Sequence, residues 1–203
     1  MKKILFVCLG NICRSSSAEE VMRTLIRKEG LEREIEVDSA GILSYHQGEL
    51  PDSRMRMHAS RRGYNLTHRS RPVCTDDFYH FDMIIGMDDR NIEDLIERAP
   101  DLETEKKIRR MTDYCRVKMV DYVPDPYYGG AQGFENVLDI LEDACAGLLE
   151  SIRAISSTCA SMILSTKVPI LSSVYSGRLR EAASTESAII RMACSLVNGL
   201  GPG

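Results

Sequence analysis

Ile4-Leu5-Phe6-Val7-Cys8-Leu9-Gly10-Asn11-Ile12-Cys13-Arg14-Ser15 is the stretch that decides how this chain is read. A short, β-favouring apolar run enters a loop with a thiol at one end and a guanidinium at the other, and a helical pattern begins near Ser15. Such a junction is a phosphate cradle. A phosphoryl group spreads its charge over several peripheral oxygens. A loop whose N–H groups from Leu9, Gly10, Asn11, Ile12, Cys13 and Ser15 turn inward, closed by the fork of Arg14, can hold them together. Cys8 then lies beneath the phosphorus, where the N–H groups, the helix N-terminus and Arg14 all favour negative charge on its sulfur. Gly10 is expected to supply the backbone freedom for the turn. A lone cysteine ending a strand is more often an inert core residue. Here the strand, Gly10, Asn11, Arg14, Ser15 and the helix all fall where the cradle needs them.

Val7-Cys8-Leu9-Gly10-Asn11-Ile12-Cys13-Arg14-Ser15 resembles the signature V-C-x-G-N-x-C-R-S of the low-molecular-weight protein tyrosine phosphatases. The resemblance implies hydrolysis of phosphotyrosine through a cysteinyl-phosphate intermediate, and a thiolate displacing a phenol needs an acid for the leaving oxygen. Pro124-Asp125-Pro126-Tyr127-Tyr128-Gly129-Gly130 is similar to the family's D-P-Y-Y-G element, so the resemblance gives Asp125 the acid role. The flanking prolines exclude helix there and hold Asp125 on a stiff, extended loop. By the same resemblance Ser39 and His68 support Asn11, Ser15 donates to the Cys8 sulfur, and Cys13 traps an oxidised Cys8 as a disulfide. Tyr45 and Tyr127 stand at the positions of two aromatic residues that flank the phenyl ring. A slot between rings suits phosphotyrosine and leaves the shorter phosphoserine out of reach. Met87-Asp88-Asp89-Arg90-Asn91 is similar to the family's M-D-x-x-N, in which an aspartate can also cap the next helix. No metal or other cofactor is implied.

Two departures from the family pattern are Ser16, where many members have Pro, and His68-Arg69-Ser70-Arg71 in place of H-x-A-R. Neither removes a catalytic group. Relatives that act on phosphoarginine carry Thr at the position of Ile12, and an apolar residue there favours an aryl ester. A phosphoarginine phosphatase and an arsenate reductase of the same fold are the alternative activities, and the second has a further requirement. It would need two further cysteines on a nearby segment, and there is none between Cys74 and Cys115. A non-catalytic phosphotyrosine-binding module would keep the cradle while losing Cys8 or Asp125, and both are present.

Strand patterns at 3–7, 34–38, 82–86 and 107–111 alternate with helical patterns at 15–29, 52–62, 89–98 and 133–155. The expected fold is α/β, a parallel sheet with helices on both faces and ligands at the C-terminal ends of the strands. The resemblance implies four strands and extends from Lys2 to about Ala154. Residues 1–155 are therefore read as the phosphatase domain and 156–203 as a C-terminal extension. That extension is rich in Ser and Ala. It contains the β-favouring Val168-Pro169-Ile170-Leu171 and an apolar series, Ile189, Met192, Ala193, Leu196 and Val197, at helical spacing.

With 203 residues and 43% hydrophobic content, one domain with a substantial core is expected. A net charge of −4 gives no reason to expect nucleic acid as a partner. The opening Met1-Lys2-Lys3 and its apolar run read as a first strand rather than a signal peptide, and no apolar stretch is long enough to span a bilayer. The expectation is a cytoplasmic monomer acting on a phosphotyrosine protein or a small aryl phosphate. Seven cysteines without a C-x-x-C pair or clustering with the four histidines do not form a structural zinc site. Cys74, Cys115, Cys145, Cys159 and Cys194 are read as buried small hydrophobes.

Overall fold

In the computed structural model, residues 1–165 are described, with side chains as far as residue 154 apart from Tyr128. The strand expected at 168–171, the helix expected at 189–197, Cys194 and the side chain of Cys159 lie outside the described residues; of the other cysteines expected to be buried, Cys145 is, whereas Cys115 is half-buried and Cys74 is exposed at the start of a short helix. One compact unit spans Met1–Leu164, and a second, Ser165–Gly203, falls almost wholly outside the description.

Four parallel strands, β1 (Lys2–Cys8), β2 (Ile35–Gly41), β3 (Met83–Gly86) and β4 (Ile108–Arg110), form one sheet in the order β2-β1-β3-β4. The helices are α1 (Arg14–Glu29), α2 (Ser53–Arg61), α3 (Thr75–His80), α4 (Asp89–Arg98), α5 (Leu102–Glu105) and α6 (Gly130–Ser165). β1 is central, and Ile4, Leu5, Phe6 and Val7 are all fully buried, as in a strand covered on both faces. The two-residue period divides them between layers. Ile4, Phe6 and Cys8 join one cluster with Ala18, Val21 and Met22 of α1 and Phe134, Leu138 and Leu141 of α6. Leu5 and Val7 join another with Phe78 of α3, Ile84 of β3 and Leu95 of α4. Cys8 therefore points to the same face that α1 covers.

The register pairs Cys8 with Gly41 and Val7 with Gly86, so β1 and β2 end together at the carboxyl edge. Gly41 has no room for a side chain, since a Cβ there would stand 3.1 Å from the Gly10 carbonyl carbon and 3.2 Å from Asn11 Cβ. α1 stops at Gly30, whose left-handed φ of 68° lets its N–H turn back to the Arg27 carbonyl.

The short helices α3 and α5 were not expected from the sequence. Elements of six and four residues are too short to show a helical period, and local caps hold them. Asp77 accepts the Cys74 N–H at 2.8 Å, and Asp101 accepts that of Thr104 at 2.8 Å. The last helix, expected at 133–155, runs over Gly130–Ser165 and so continues past the expected domain boundary. Gly147, inside it, answers to packing. A Cβ on Gly147 would lie 2.0 Å from the Tyr114 carbonyl oxygen.

Candidate active site

The order β2-β1-β3 reverses direction at β1, and Cys8 stands at the carboxyl end of that strand, where open α/β sheets bind ligands. From Cys8 the chain curls to the start of α1, and its carbonyls are drawn outward by the surroundings. Ile42 N–H donates to Cys8 O (2.9 Å), Leu43 N–H to Leu9 O (2.9 Å), Ser70 Oγ to Gly10 O (3.1 Å) and Asp52 N–H to Ile12 O (2.8 Å). In a planar trans peptide the N–H points opposite to the carbonyl, so anchoring the oxygens outside leaves the amides that follow them directed inward. The left-handed turn falls on Asn11 (φ 57°), not on Gly10, which corrects the expectation from sequence. Asn tolerates that region. Gly10 answers a different need, because a Cβ there would sit 3.1 Å from the His46 ring.

A buried chain of hydrogen bonds fixes the loop. The Arg71 N–H donates to Asn11 Oδ1 at 3.0 Å, which sets the amide's orientation. Asn11 Nδ2 then donates to Ser15 Oγ and to Ser39 Oγ, each at 2.9 Å. Ser39 Oγ passes its proton toward Glu19 Oε2 at 2.6 Å. Ser15, having accepted from Asn11, holds its own proton 3.1 Å from the Cys8 sulfur, with the Ala40 carbonyl at 3.3 Å as the other acceptor. A sulfur anion is the stronger claimant for it. Glu19 is buried on α1 and pairs with Arg23 and with His68 Nδ1, the latter at 3.1 Å, while His68 Nε2 lies 3.1 Å from Asn11 Oδ1. Both ring nitrogens of His68 are thereby tied into the network. Arg71 ties this network to the sheet and to α3 through Asp38 (2.8 Å) and Asp77 (2.9 Å). Burial works against the Arg71 charge, but Asp77 and Asp38 outweigh it and hold the guanidinium's pKa above its ordinary value. Glu19, Asp38 and His68 offer ligand atoms within 4.8 Å of one another, and each is already engaged in this network.

Arg14 is 4% exposed and bonds to the Asp88 carboxylate and to Val123 O, at 3.2 Å in the second case. Burial again opposes its charge, but Cys8, Asp88 and Asp125 outweigh it and raise its pKa. Asp88 has two tasks, since its Oδ1 also caps α4 by accepting the Asn91 N–H at 2.8 Å. Across the loop Asp125 accepts the Tyr127 N–H on Oδ1 at 3.0 Å and presents Oδ2 3.6 Å from Arg14 Nη2. Cys8, Leu9, Gly10, Ile12, Cys13, Arg14, His46, Asp125 and Tyr127 line one cavity of about 240 Å³. Burial and then the neighbouring Cys8 push the Cys13 thiol well up, so it stays protonated at neutral pH. A larger, open hollow of about 580 Å³ lies near Met1, Ile35 and Ile152, by the amino end of β2 and away from this chemistry.

The expected residues thus meet, with one difference. Tyr45 does not line the cavity and is 83% exposed; His46, the next residue, takes the place and is held by Glu49 at 2.7 Å. Reading the sequence also missed Glu19, Arg71 and the Arg14–Asp88 pair. Glu19 was detectable, because Ser15, Glu19 and Arg23 recur every four residues and so share one face of α1. The partners of Arg71 and Asp88 have no such local signal.

A cysteine at the base of a loop with inward amides, at the carboxyl edge of a small parallel sheet and facing a carboxylate, is an arrangement suited to a cysteine-dependent phosphatase. A family model described as low molecular weight phosphotyrosine protein phosphatase matches residues 3–157, and the chain belongs to that family. Over 150 residues it is 46% identical to a Synechocystis protein that carries the family's name, a match covering 74% of this chain and 96% of the other. A crystal structure of a protein tyrosine phosphatase from Entamoeba histolytica, with Hepes in its active site, is 47% identical with a TM-score of 0.75. It covers 77% of this chain and 99% of its own. A Drosophila arginine phosphatase shares the fold at 32% identity and a TM-score of 0.70, covering 75% and 98% of the two chains. The protein is a protein-tyrosine-phosphatase, and the cysteinyl-phosphate route is general to its family. No helix among the described residues is long and apolar enough to cross a membrane.

Proposed function

We propose that Cys8 is the nucleophile, Arg14 and the loop amides from Leu9 to Ser15 the phosphate ligands, and Asp125 the general acid. The single observation that carries the assignment is that the Cys8 thiol, Arg14 and Asp125 line one cavity of about 240 Å³. In the first step the Cys8 sulfur attacks phosphorus, the S–P bond forms as the P–O bond to the phenol breaks, and Asp125 gives its proton to the leaving oxygen. In the second, Asp125 takes a proton from water as that water attacks phosphorus, and the S–P bond breaks to release phosphate. Arg14 and the inward amides hold the charge that spreads over the phosphoryl oxygens in both steps, so no metal is required and chelators should leave the rate unchanged. Asn11, Ser15, Ser39 and His68 act by keeping the loop in its inward-facing form.

The substrate is an aryl phosphate, phosphotyrosine in a protein or a small analogue, with Tyr127 as the wall, while Tyr45 lies outside the cavity lining. Apolar Ile12 in the cavity supports an aryl ester over phosphoarginine. Among the described residues the cavity contains no cysteine besides Cys8 and Cys13, which weighs against an arsenate-reducing relay. We assign catalysis to residues 1–155 and leave 156–203 as an extension, in keeping with the family match over 3–157. The reading includes a monomer, since one chain completes the cavity. It also includes the cytoplasm, in keeping with five described cysteines that are all free thiols.

Cys8→Ser tests the assignment. Turnover of an aryl phosphate should vanish while binding of inorganic phosphate persists. Appreciable turnover in that variant would remove Cys8 from the mechanism.

A further inference from the structure

Arg54, on the first turn of α2, links the two halves of the site. Its Nε and Nη2 grip the Asp52 carboxylate at 3.1 and 2.8 Å, and its Nη1 donates to the Tyr127 carbonyl at 3.2 Å. The guanidinium carbon lies 4.8 Å from the centre of the Tyr127 ring and 5.1 Å from that of Phe134. Asp52 is in turn fixed to the cradle, because its backbone N–H donates to the Ile12 carbonyl at 2.8 Å. At the far end the Tyr127 N–H holds Asp125 Oδ1 at 3.0 Å. A continuous path therefore runs from the phosphate loop at Ile12 through Asp52, Arg54 and Tyr127 to Asp125.

We propose that Arg54 is a positioning and specificity residue for the leaving-group half of the reaction. It sets Asp125 at a fixed reach from the cradle and holds the Tyr127 ring as the wall on which an aryl group stacks. The proposal rests on the reading of Asp125 as the acid. The shape of the guanidinium is what qualifies it, since a planar fork can hold a carboxylate with two N–H groups, a carbonyl with another and an aromatic ring with its face. A lysine ammonium has no plane with which to do all of this at once. Capping of α2 does not need the Arg54 side chain, because Asp52 Oδ1 accepts the Arg54 backbone N–H at 2.8 Å. Removing the guanidinium therefore tests the link rather than the helix.

The experiment measures kcat and KM on aryl phosphates of graded phenol acidity and on one alkyl phosphate. It compares the wild type with Arg54→Met, Arg54→Lys, Tyr127→Ala, Asp125→Asn and the double variant Arg54→Met/Tyr127→Ala. In Arg54→Met, kcat should fall about tenfold for weakly acidic phenols, the scale of one charged hydrogen bond with a cation–π contact, and little for p-nitrophenyl phosphate. The preference for aryl over alkyl phosphate should fall toward that of Tyr127→Ala, and the double variant should lose no more of that preference than Tyr127→Ala alone. If Arg54→Met fails to fold by its thermal melt, Arg54→Lys carries the same test, because it keeps the charge and loses the fork. An equal loss across all phenols with an unchanged aryl preference would overturn the proposal, as would no loss at all. A strong leaving-group dependence in Asp125→Asn beside a flat Arg54→Met would sink the Arg54 role alone. A flat Asp125→Asn would sink the acid assignment, and with it the reach set by Arg54.

Discussion

The loop of residues 8–15 and the loop that carries Asp125, proposed to hold the phosphate and the acid, face each other across one cavity, yet they are built on opposite plans. Residues 8–15 are tied down by four outward carbonyl bonds, a left-handed Asn11 and a buried hydrogen-bond chain reaching Glu19 and Arg71. Asp125 is about half exposed and is held by the Tyr127 N–H and by Arg14 at 3.6 Å. The difference matches what each half must recognise. A phosphoryl group has one shape in every substrate, so its site can be closed and preorganised. Leaving groups differ, and a loop held at a few points can meet them from the solvent side.

The largest test of this contrast lies on the acid loop. Asp125→Asn keeps the shape but has no proton to give, so aryl phosphate cleavage should slow by about 10²–10⁴-fold. The loss should shrink for very acidic phenols, and a leaving-group series measures it. A uniform loss would mean that Asp125 positions substrate, and the two loops would then differ less in role than in exposure.

Asn11 comes next, because it joins the most bonds in the cradle. Asn11→Ala removes the partners of Ser15, Ser39, Arg71 N–H and His68 and places Ala at a φ of 57°. Stability should fall by about 3 kcal/mol or more, with activity falling alongside it. Asn11→Gly accepts that φ and so should recover about 1 kcal/mol by denaturant unfolding, which separates backbone strain from lost hydrogen bonds. Equal stability of the two variants would show that the left-handed turn costs nothing here.

Oxidation probes the floor of the cradle. Peroxide should convert Cys8 to a sulfenic acid, which the Cys13 thiol attacks to form a disulfide and water; a dithiol then restores both thiols. In Cys13→Ser that rescue should largely fail. Peptide mapping that pairs Cys8 with any other cysteine would end this role for Cys13.

The smallest effect is expected from alkali. Burial and the neighbouring Cys8 raise the Cys13 thiol above its ordinary value of 9.0, and burial followed by Glu142 pushes Tyr64 up to about 12 from 10.0. The unfolded chain then loses these protons before the folded one. Their contribution is complete below pH 9 and is lost as pH rises beyond it. Unfolding midpoints in urea should drop between pH 9 and 12 in the wild type, and less steeply in Cys13→Ser. Identical profiles for the two would argue that Cys13 titrates normally.

Legibility followed distance along the chain. The cradle, its strand and its helix could be read because all of their parts lie within residues 4–29, where spacing alone fixes which groups meet. Asp125 could be read because its two prolines mark the loop locally, although only a family resemblance gave it a task. Tyr45 and His46 show the limit. They are adjacent, and nothing in their spacing says which of them turns toward the cavity; a His46–Glu49 bond accompanies the inward turn of the histidine.

The alternating α/β pattern, and the tight loop that runs from Cys8 to Arg14 between a strand and a helix, were legible from the chain alone. These depend on short-range stereochemistry: strand burial, the geometry of a tight loop and the direction of peptide dipoles. Folding in three dimensions was needed to bring Arg14 to Asp88, 74 residues away, and to Val123, 109 residues away, and to hold Asn11 against Arg71. It likewise placed Arg54 between Asp52 and Tyr127. Such pairs form only once strand register and helix packing have brought distant segments together, and no local pattern of residues encodes that meeting.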